Sequence, residues 1–550
     1  MTAQTFPAIP NGTTIDRTIR ASDPIGIGTE SAYVCLAYGP GEPHIRRLEL
    51  APGEFGAARR EPLLTFAHFT DIHQQDHQSP GRFEFVDRFY GPAPLHLLAP
   101  AYRPQEFMQA QSCEAMIRTM NGLDSSPVTG APIQFVLCTG DLTDNSQVNE
   151  LQWAMCLLEG GEIMANSGGP GYEGVASPAW GDTGYWHPDD FGDEYKTRWG
   201  FPSYPGLIEE AYRAFVAEGI SRPWLICRGN HDALIQGTAL FTPAFKSIAI
   251  GSEKVIALPT GFDILGNLEQ YIARPESFLA GPTRRVMPDP SRRNFSRSEF
   301  LAARLAAGGA PSGHGAIGIQ ADRERTYYVD DSNPRIRLIV LDTVNVGGNY
   351  HGSIGAKQLA WLEARLAEVH SRYYDESGRL AQSAAGDKLV VLCSHHGLDS
   401  LVNDMVTTGL EADLPRVLGP RVESLLHRFP NVVLWANGHT HSNTVCPRHD
   451  ASCKTSGFWE VTTSSLFDWP CQARLVELVS NNNGTLSIFC TMLDHAAAPG
   501  PTAADGVLRL AAIHRELAAN DPHCGIASGN QGQETDRNVE LVIREPFSLA

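Results

Sequence analysis

The sequence predicts an α/β domain. Two observations carry this: a series of short apolar runs, each closing on a polar cluster, and stretches of helical periodicity lying between several of them. Runs of about four to eight largely apolar residues without strict polar alternation read as strands buried on both faces. Strands alternating with helices make an α/β sheet, and reactive groups at the carboxyl ends of several strands put a site at one rim of it.

Taken in order, Leu63 to Phe69 ends in Thr70-Asp71-Ile72-His73, and Ile133 to Cys138 ends in Thr139-Gly140-Asp141. Trp224 to Cys227 ends in Arg228-Gly229-Asn230-His231-Asp232, and Ile336 to Leu341 ends in Asp342-Thr343. Leu389 to Cys393 ends in Ser394-His395-His396, and Val432 to Ala436 ends in Asn437-Gly438-His439-Thr440-His441. Between them, Ala356 to His370 spaces its apolar residues as a helix does, behind Gly355. Arg421 to Phe429 does the same behind Pro420, with Val422, Leu425, Leu426 and Phe429 at three- and four-residue steps. The pair of strands near Arg474 to Met492 turns at Asn481-Asn482-Asn483-Gly484, a strong hairpin signal. Beyond Ala497 the chain predicts a helix from Gly506 to Ala519 and a strand from Asn538 to Ile543.

At 550 residues the chain exceeds the usual size of one simple core, so two domains or one elaborated domain is expected. Its 42% apolar and 19% charged content is that of an ordinary globular protein. Forty-three basic against 62 acidic residues leave a formal charge of −19, a field that repels polyanions and disfavours a general role on nucleic acid. The N-terminus has no apolar run of signal-peptide length and no segment reaches a membrane span, so no membrane partner is expected. Eleven cysteines is an odd count, and Cys138, Cys227 and Cys393 sit inside apolar runs as reduced, buried thiols. These features favour the cytoplasm, with export the alternative if the N-terminus is processed or truncated. The sequence does not set the oligomeric state.

The expected organisation is an N-terminal extension over 1–61, a catalytic domain over 62–495, and a C-terminal extension over 496–550 packing on the core. Insertions fall near 158–222 and 254–321. The first is rich in Gly, Pro, Trp and Tyr, and Trp180, Tyr185 and Trp186 suggest an ordered lid. The second carries Arg284, Arg285, Arg292 and Arg293.

Each polar cluster is weak alone, since Asp-x-His recurs by chance in a long chain. The set is more specific: Asp71-x-His73, Gly140-Asp141, Gly229-Asn230-His231-Asp232, His395 and Gly438-His439-x-His441 follow in this order, each at the end of a buried strand. Two Asp, one Asn and four His mix oxygen and imidazole donors in the way that suits borderline divalent metals. With these blocks the sequence resembles the calcineurin-like metallophosphoesterase superfamily, over roughly 63–493. The resemblance implies a four-layer αββα sandwich with large loop insertions. It also implies two divalent ions (Mn, Fe or Zn), one held by Asp71, His73 and His441, the other by Asn230, His395 and His439, with Asp141 bridging. His231, next to a ligand, is expected to protonate the leaving group or to stabilise charge on the transferring phosphoryl group, and the resemblance pairs it with Asp144; His396 is implied to stand just behind the ligands.

Two cations about 3.5–4 Å apart hold and acidify a bridging water and stabilise the attacking and leaving oxygens. The implied reaction is hydrolysis of a small phosphate ester by in-line attack of the metal-bridged hydroxide, with positioning and electrostatics carrying most of it. Two departures matter. Asp144 stands where purple acid phosphatases have Tyr, and Asn145 follows it where protein phosphatases have a phosphate-gripping Arg. The metals, Asn145, His396 and one of the insertion arginines are therefore the expected substrate contacts. A site without a dedicated Arg suits the single charge of a diester, so a phosphodiesterase is expected, with a phosphomonoesterase and a non-catalytic metal-binding scaffold as alternatives. Cys446-x2-His449-x3-Cys453 lacks a fourth ligand and reads as an ordinary loop. His68, Asp76 and His77 read equally as pocket or supporting residues, and Trp459, Phe467 and Trp469 as packing.

Overall fold

In the computed structural model, which describes residues 12–53, 55–56, 59–98, 101–307, 325–407, 409, 411–503 and 505–549, the chain is mixed α/β. One sheet has seven strands, in the order Ile45–Leu50, Val539–Arg544, Thr485–Asp494, Gln472–Ser480, Glu61–Phe69, Phe135–Cys138 and Trp224–Ile226. Its last three strands run parallel. A second sheet has six, in the order Tyr328–Asp330, Ile336–Val340, Leu389–Cys393, Val432–Asn437, Phe458–Thr462 and Thr444–Arg448. The four strands from Ile336–Val340 to Phe458–Thr462 are parallel.

The absence of polar alternation in these runs has a direct cause. Leu64, Phe66, Leu137 and Leu225 of the first sheet share one apolar cluster with Leu338, Val391, Leu434 and Trp459 of the second. The neighbouring residues point the other way. Ala67, Val136 and Ile226 pack with Met116 and Ile117 of helix Gln109–Gly122 and with Leu157 of helix Val148–Glu159. Ile339, Val390 and Trp435 pack with Leu362 and Leu366 of helix Ala356–Ala367 and Val422 of helix Gly419–Leu426. Both faces of these inner strands are thus removed from water, at about 1.5–3 kcal/mol for each large side chain so buried. Helix Ala356–Ala367 has no cap from its own Gly355; the Asp413 carboxylate accepts from the amides of Lys357 and Gln358 instead. The hairpin turn takes positive φ at Asn482 (53°) and Gly484 (82°), as its composition anticipates.

The first insertion does not lie over the site as a lid. Tyr185 and Trp186 are buried with Tyr102, Phe107 and Phe201, and against Leu510, Ile513 and Leu517 of the C-terminal helix Gly506–Asn520. Aromatic rings of this size stabilise most when fully covered, so the segment is wedged into the body of the protein. In the second insertion Arg292 is buried on Asp76 and Ser167, Arg293 pairs with Glu299, and Arg284 donates to the Ala179 carbonyl. Arg285 lies 3.7 Å from Glu253 near the surface. Residues 308–321, and residues 1–11 of the N-terminal extension, lie outside the described residues. Among the described residues no helix is long and apolar enough to cross a membrane.

Candidate metal centre

The loops that follow five parallel strands meet at one rim. Glu61–Phe69 delivers Asp71 and His73, Phe135–Cys138 delivers Asp141 and Asp144, and Trp224–Ile226 delivers Asn230 and His231. From the other sheet Leu389–Cys393 delivers His395 and His396, and Val432–Asn437 delivers His439 and His441. Five of these residues hold the left-handed backbone region that non-glycine residues rarely adopt: Asp71 (φ 51°), His73 (47°), Asp141 (50°), His439 (72°) and His441 (56°). Each costs on the order of 1 kcal/mol or more, and such strain concentrates at functional sites. The glycines beside them are also required. A Cβ on Gly229 would sit 2.0 Å from Asp141 Oδ1, and one on Gly438 would sit 1.9 Å from Thr70 Oγ1 and 2.5 Å from Asp71 Oδ2.

Each carboxylate is held by one oxygen and presents the other. Asp71 Oδ2 accepts from Thr70 Oγ1 (2.6 Å) and from the His439 amide (3.0 Å). Its Oδ1 is buried with no hydrogen-bond partner and faces His441 Nε2 at 3.3 Å and His73 Nε2 at 3.8 Å. Asp141 Oδ1 accepts from the His231 amide at 2.8 Å. Its Oδ2 lies 3.1 Å from His395 Nε2 and 3.7 Å from His73 Nε2. Asn230 Oδ1 is 2.8 Å from His395 Nε2, and the ring of His439 stands edge-on to that of His395 at 5.1 Å.

The imidazoles are oriented in the same way. Nδ1 of His395 donates to the Thr139 carbonyl (2.8 Å), Nδ1 of His441 to Asp468 Oδ2 (2.6 Å), and Nδ1 of His73 to Asp144 Oδ1 (3.3 Å). Occupying Nδ1 leaves each Nε2 lone pair pointing inward, the tautomer a metal requires. Ligands about 2.1 Å from an ion lie about 3.0–3.4 Å from one another, close to the spacings seen here. The donor atoms of Asp71, His73 and His441, and those of Asp71, Asp141 and His395, lie within 4.8 Å of one another. The unpartnered Asp71 oxygen and the inward-facing Nε2 atoms are donors that could hold a divalent ion. His395, His396 and His439 form a further group of the same span.

Charge is arranged to match. Burial alone would lower His73 and His395, but the surrounding aspartates hold His73 at about 10 and His395 at about 9, above the ordinary 6.5. Burial opposes ionisation of Asp71, and the neighbouring imidazoles outweigh it, holding the carboxyl well below its usual range. Raised imidazoles stabilise chelated protein fully below pH about 6.5, and that contribution is lost as pH rises through about 9–10. Cation binding needs neutral rings and so runs the other way. Titrating manganese into chelated protein is expected to release protons to the buffer, with affinity rising between about pH 6 and 9. An affinity independent of pH would contradict His73 and His395 as ligands.

Other residues divide clearly. His231 and Asp144 face each other across the rim: His231 Nδ1 donates to the Asp144 carbonyl (2.7 Å) and lies 3.6 Å from its carboxylate. Burial pushes His231 down to about 4. Asn145, expected to hold substrate, does not face the cavity. It is fully buried, donates to the Gly81 carbonyl (3.0 Å) and accepts from the Gln236 amide (2.9 Å). His396 is likewise committed, with Nδ1 at 2.8 Å from Thr343 Oγ1 and Nε2 at 2.9 Å from the Tyr350 carbonyl. His68 lies between Thr139 and Thr463, Asp76 holds Arg292, and His77 pairs with Glu106 at 2.9 Å. Among the described residues Cys446, His449 and Cys453 form no donor group of metal-binding span.

Sequence reasoning missed the supporting charges. Asp468, between Phe467 and Trp469 in a buried aromatic turn, takes His441 Nδ1 on one oxygen and Arg103 Nε on the other (2.7 Å). A carboxylate inside an aromatic run was the available signal. Arg82, fully buried, places Nε 3.5 Å from Asp144 Oδ2 and grips Glu106 with both terminal nitrogens (3.0 and 3.1 Å). Nothing local in the sequence marks either arginine. Asp468→Asn is expected to weaken metal affinity by about 10–100-fold, measured by competition with a chelator, because the His441 ring loses its anionic acceptor.

The site opens into a cavity of 310 Å³ lined by His73, Asp141, Asn230, His231, His439 and His441, with Tyr90, Tyr271 and Tyr350 around them. A larger cleft of 610 Å³, by Tyr374 and Lys454, contains none of these groups. No family model matches the chain, and no curated protein matches it.

Proposed function

We propose that the chain is a metal-dependent phosphoesterase acting preferentially on phosphodiesters, with the calcineurin-like four-layer αββα arrangement. The layers are supported by the apolar cluster joining the two sheets and the helix-facing cluster on the outer side of each. The observation that carries the function is Asp141 Oδ2, which faces His395 of one donor set and His73 of the other. When bound, two cations supply a nucleophilic water at neutral pH and offset charge on the transferring phosphoryl group.

Asp71, His73 and His441 would hold one cation, and Asn230, His395 and His439 the other. His231 stands beside Asn230 on the same loop and faces the cavity with its side chain 18% exposed, against 3% for Asp144. Its ring is neutral in the unliganded protein, and a phosphate anion seated against it raises its affinity for a proton. Asp144, fixed by Arg82, orients the ring, and the proton then passes to the leaving oxygen. Among the described lining residues Arg103 is the sole Arg or Lys, and Asp468 already takes its charge. A site so short of fixed cations suits a diester, which carries one negative charge, better than a monoester dianion.

The test is hydrolysis of bis(p-nitrophenyl) phosphate against p-nitrophenyl phosphate by protein chelated and refilled with manganese, iron or zinc. The diester is expected to turn over faster. A monoester preference would reverse the substrate assignment.

A further inference from the structure

The cavity has a wall that the metal-ligand loops do not provide. The segment after helix Gly506–Asn520 returns across the rim and contributes His523, Cys524, Ser528 and Asn530 to the lining. It is strapped down there. The Asn443 amide donates to the Asn530 carbonyl (2.9 Å), Ser442 Oγ to Asn530 Oδ1 (2.8 Å), and Trp469 Nε1 to Gln531 Oε1 (3.2 Å). The amides of His523 and Cys524 both donate to Asp521 Oδ1 at 2.8 Å. The Asn443 and Ser442 bonds tie the segment to the loop that carries His439 and His441, the Trp469 bond ties it to the turn that carries Asp468, and the Asp521 bonds brace it internally.

His523 is placed on that wall with its side chain 28% exposed. Its Nε2 lies 3.6 Å from Asp87 Oδ2, and its ring stands edge-on to Tyr90 at 5.0 Å. Asp87 is itself fixed, since its Oδ1 accepts from the Ala101 amide at 2.9 Å. His523 thus lines the same cavity as His231 and Asp144, with the Asp87 carboxylate beside it, from an element outside the metal loops. Burial lowers the His523 pKa and Arg103 opposes protonation, but Asp87 and Asp521 outweigh both and leave it raised.

The need for such a group is plain from the rest of the lining. Asn145 is turned inward, Arg103 is held by Asp468, and Asp141, Asp144 and Asp468 bring negative charge. We propose that His523, oriented by Asp87, binds an anionic oxygen of the substrate phosphate, an assignment that rests on the phosphoesterase reading. The C-terminal segment is then part of the substrate site, and His523 supplies a cationic phosphate contact from outside the metal loops.

The experiment measures inorganic phosphate binding by calorimetry on the full chain loaded with manganese, together with diester kinetics and metal content. His523→Ala is expected to keep both metals, weaken phosphate binding by about tenfold and raise KM with little change in kcat. His523→Gln, which keeps the bulk and loses the charge, is read in the same way if the alanine variant does not fold. His523→Lys, which restores a cation, is expected to recover part of the phosphate affinity, a rescue that a packing role would not show. Phosphate affinity and KM unchanged in His523→Ala or His523→Gln with both metals bound would overturn the assignment. Wild-type protein that carries two metals yet neither binds phosphate nor hydrolyses either ester would overturn the phosphoesterase reading itself.

Discussion

Asp141→Asn is expected to lower diester turnover by on the order of 10³-fold and to leave fewer than two bound cations per chain. Asp141 Oδ2 lies 3.1 Å from His395 Nε2 and 3.7 Å from His73 Nε2, one residue of each proposed donor set. The neutral amide keeps the bulk and the hydrogen bond from the His231 amide, so the loop keeps its shape. What it removes is the negative charge that would offset repulsion between the two proposed cations. Elemental analysis after gel filtration and an initial-rate assay read the two consequences separately. Full activity with one ion bound would mean that the site is mononuclear and that Asp141 belongs to one donor set alone.

His231→Ala acts differently and is expected to lower kcat by about 10²–10⁴-fold with metal content unchanged. The His231 amide donates to Asp141, while its ring meets Asp144, stands edge-on to His73 at 4.5 Å and faces the cavity. Removing the ring leaves the amide in place. The loss should depend on the leaving group. A p-nitrophenolate departs without a proton and hides part of the defect, whereas an alkoxide needs one, so alkyl esters should lose more. Equal losses for aryl and alkyl esters would reassign His231 to electrostatic stabilisation of the phosphoryl group.

The strand ends were legible because both faces of the runs are buried, which erases polar alternation and makes the closing clusters stand out. Leu338 and Val340 turn toward one apolar cluster while Ile339 turns toward another. The backbone that aims the donors was not legible. Nothing in Asp71-Ile72-His73 announces two left-handed residues in three positions; tertiary contacts impose them, through the amides that His73 and Asp71 donate to the carbonyls of Asp141 and Gly140. Asn145 misled for a related reason. Its neighbour Asp144 faces the site, but a single residue further the chain has turned inward, and the side chain closes on Gly81 and Gln236. The aromatic insertion read as a lid because its partners, Leu510, Ile513 and Leu517, come from the far end of the chain. Long-range pairs of this kind, Arg82 with Asp144 and His523 with Asp87 among them, leave no periodic trace.

The most direct test of the central claim follows metal content and bis(p-nitrophenyl) phosphate hydrolysis in the same samples as manganese is returned to chelated protein. The account predicts that the protein takes up two equivalents, that turnover appears with the second, and that Asp141→Asn binds fewer and stays inactive. Turnover that survives chelation, or two bound equivalents with no turnover on diester or monoester, would contradict it.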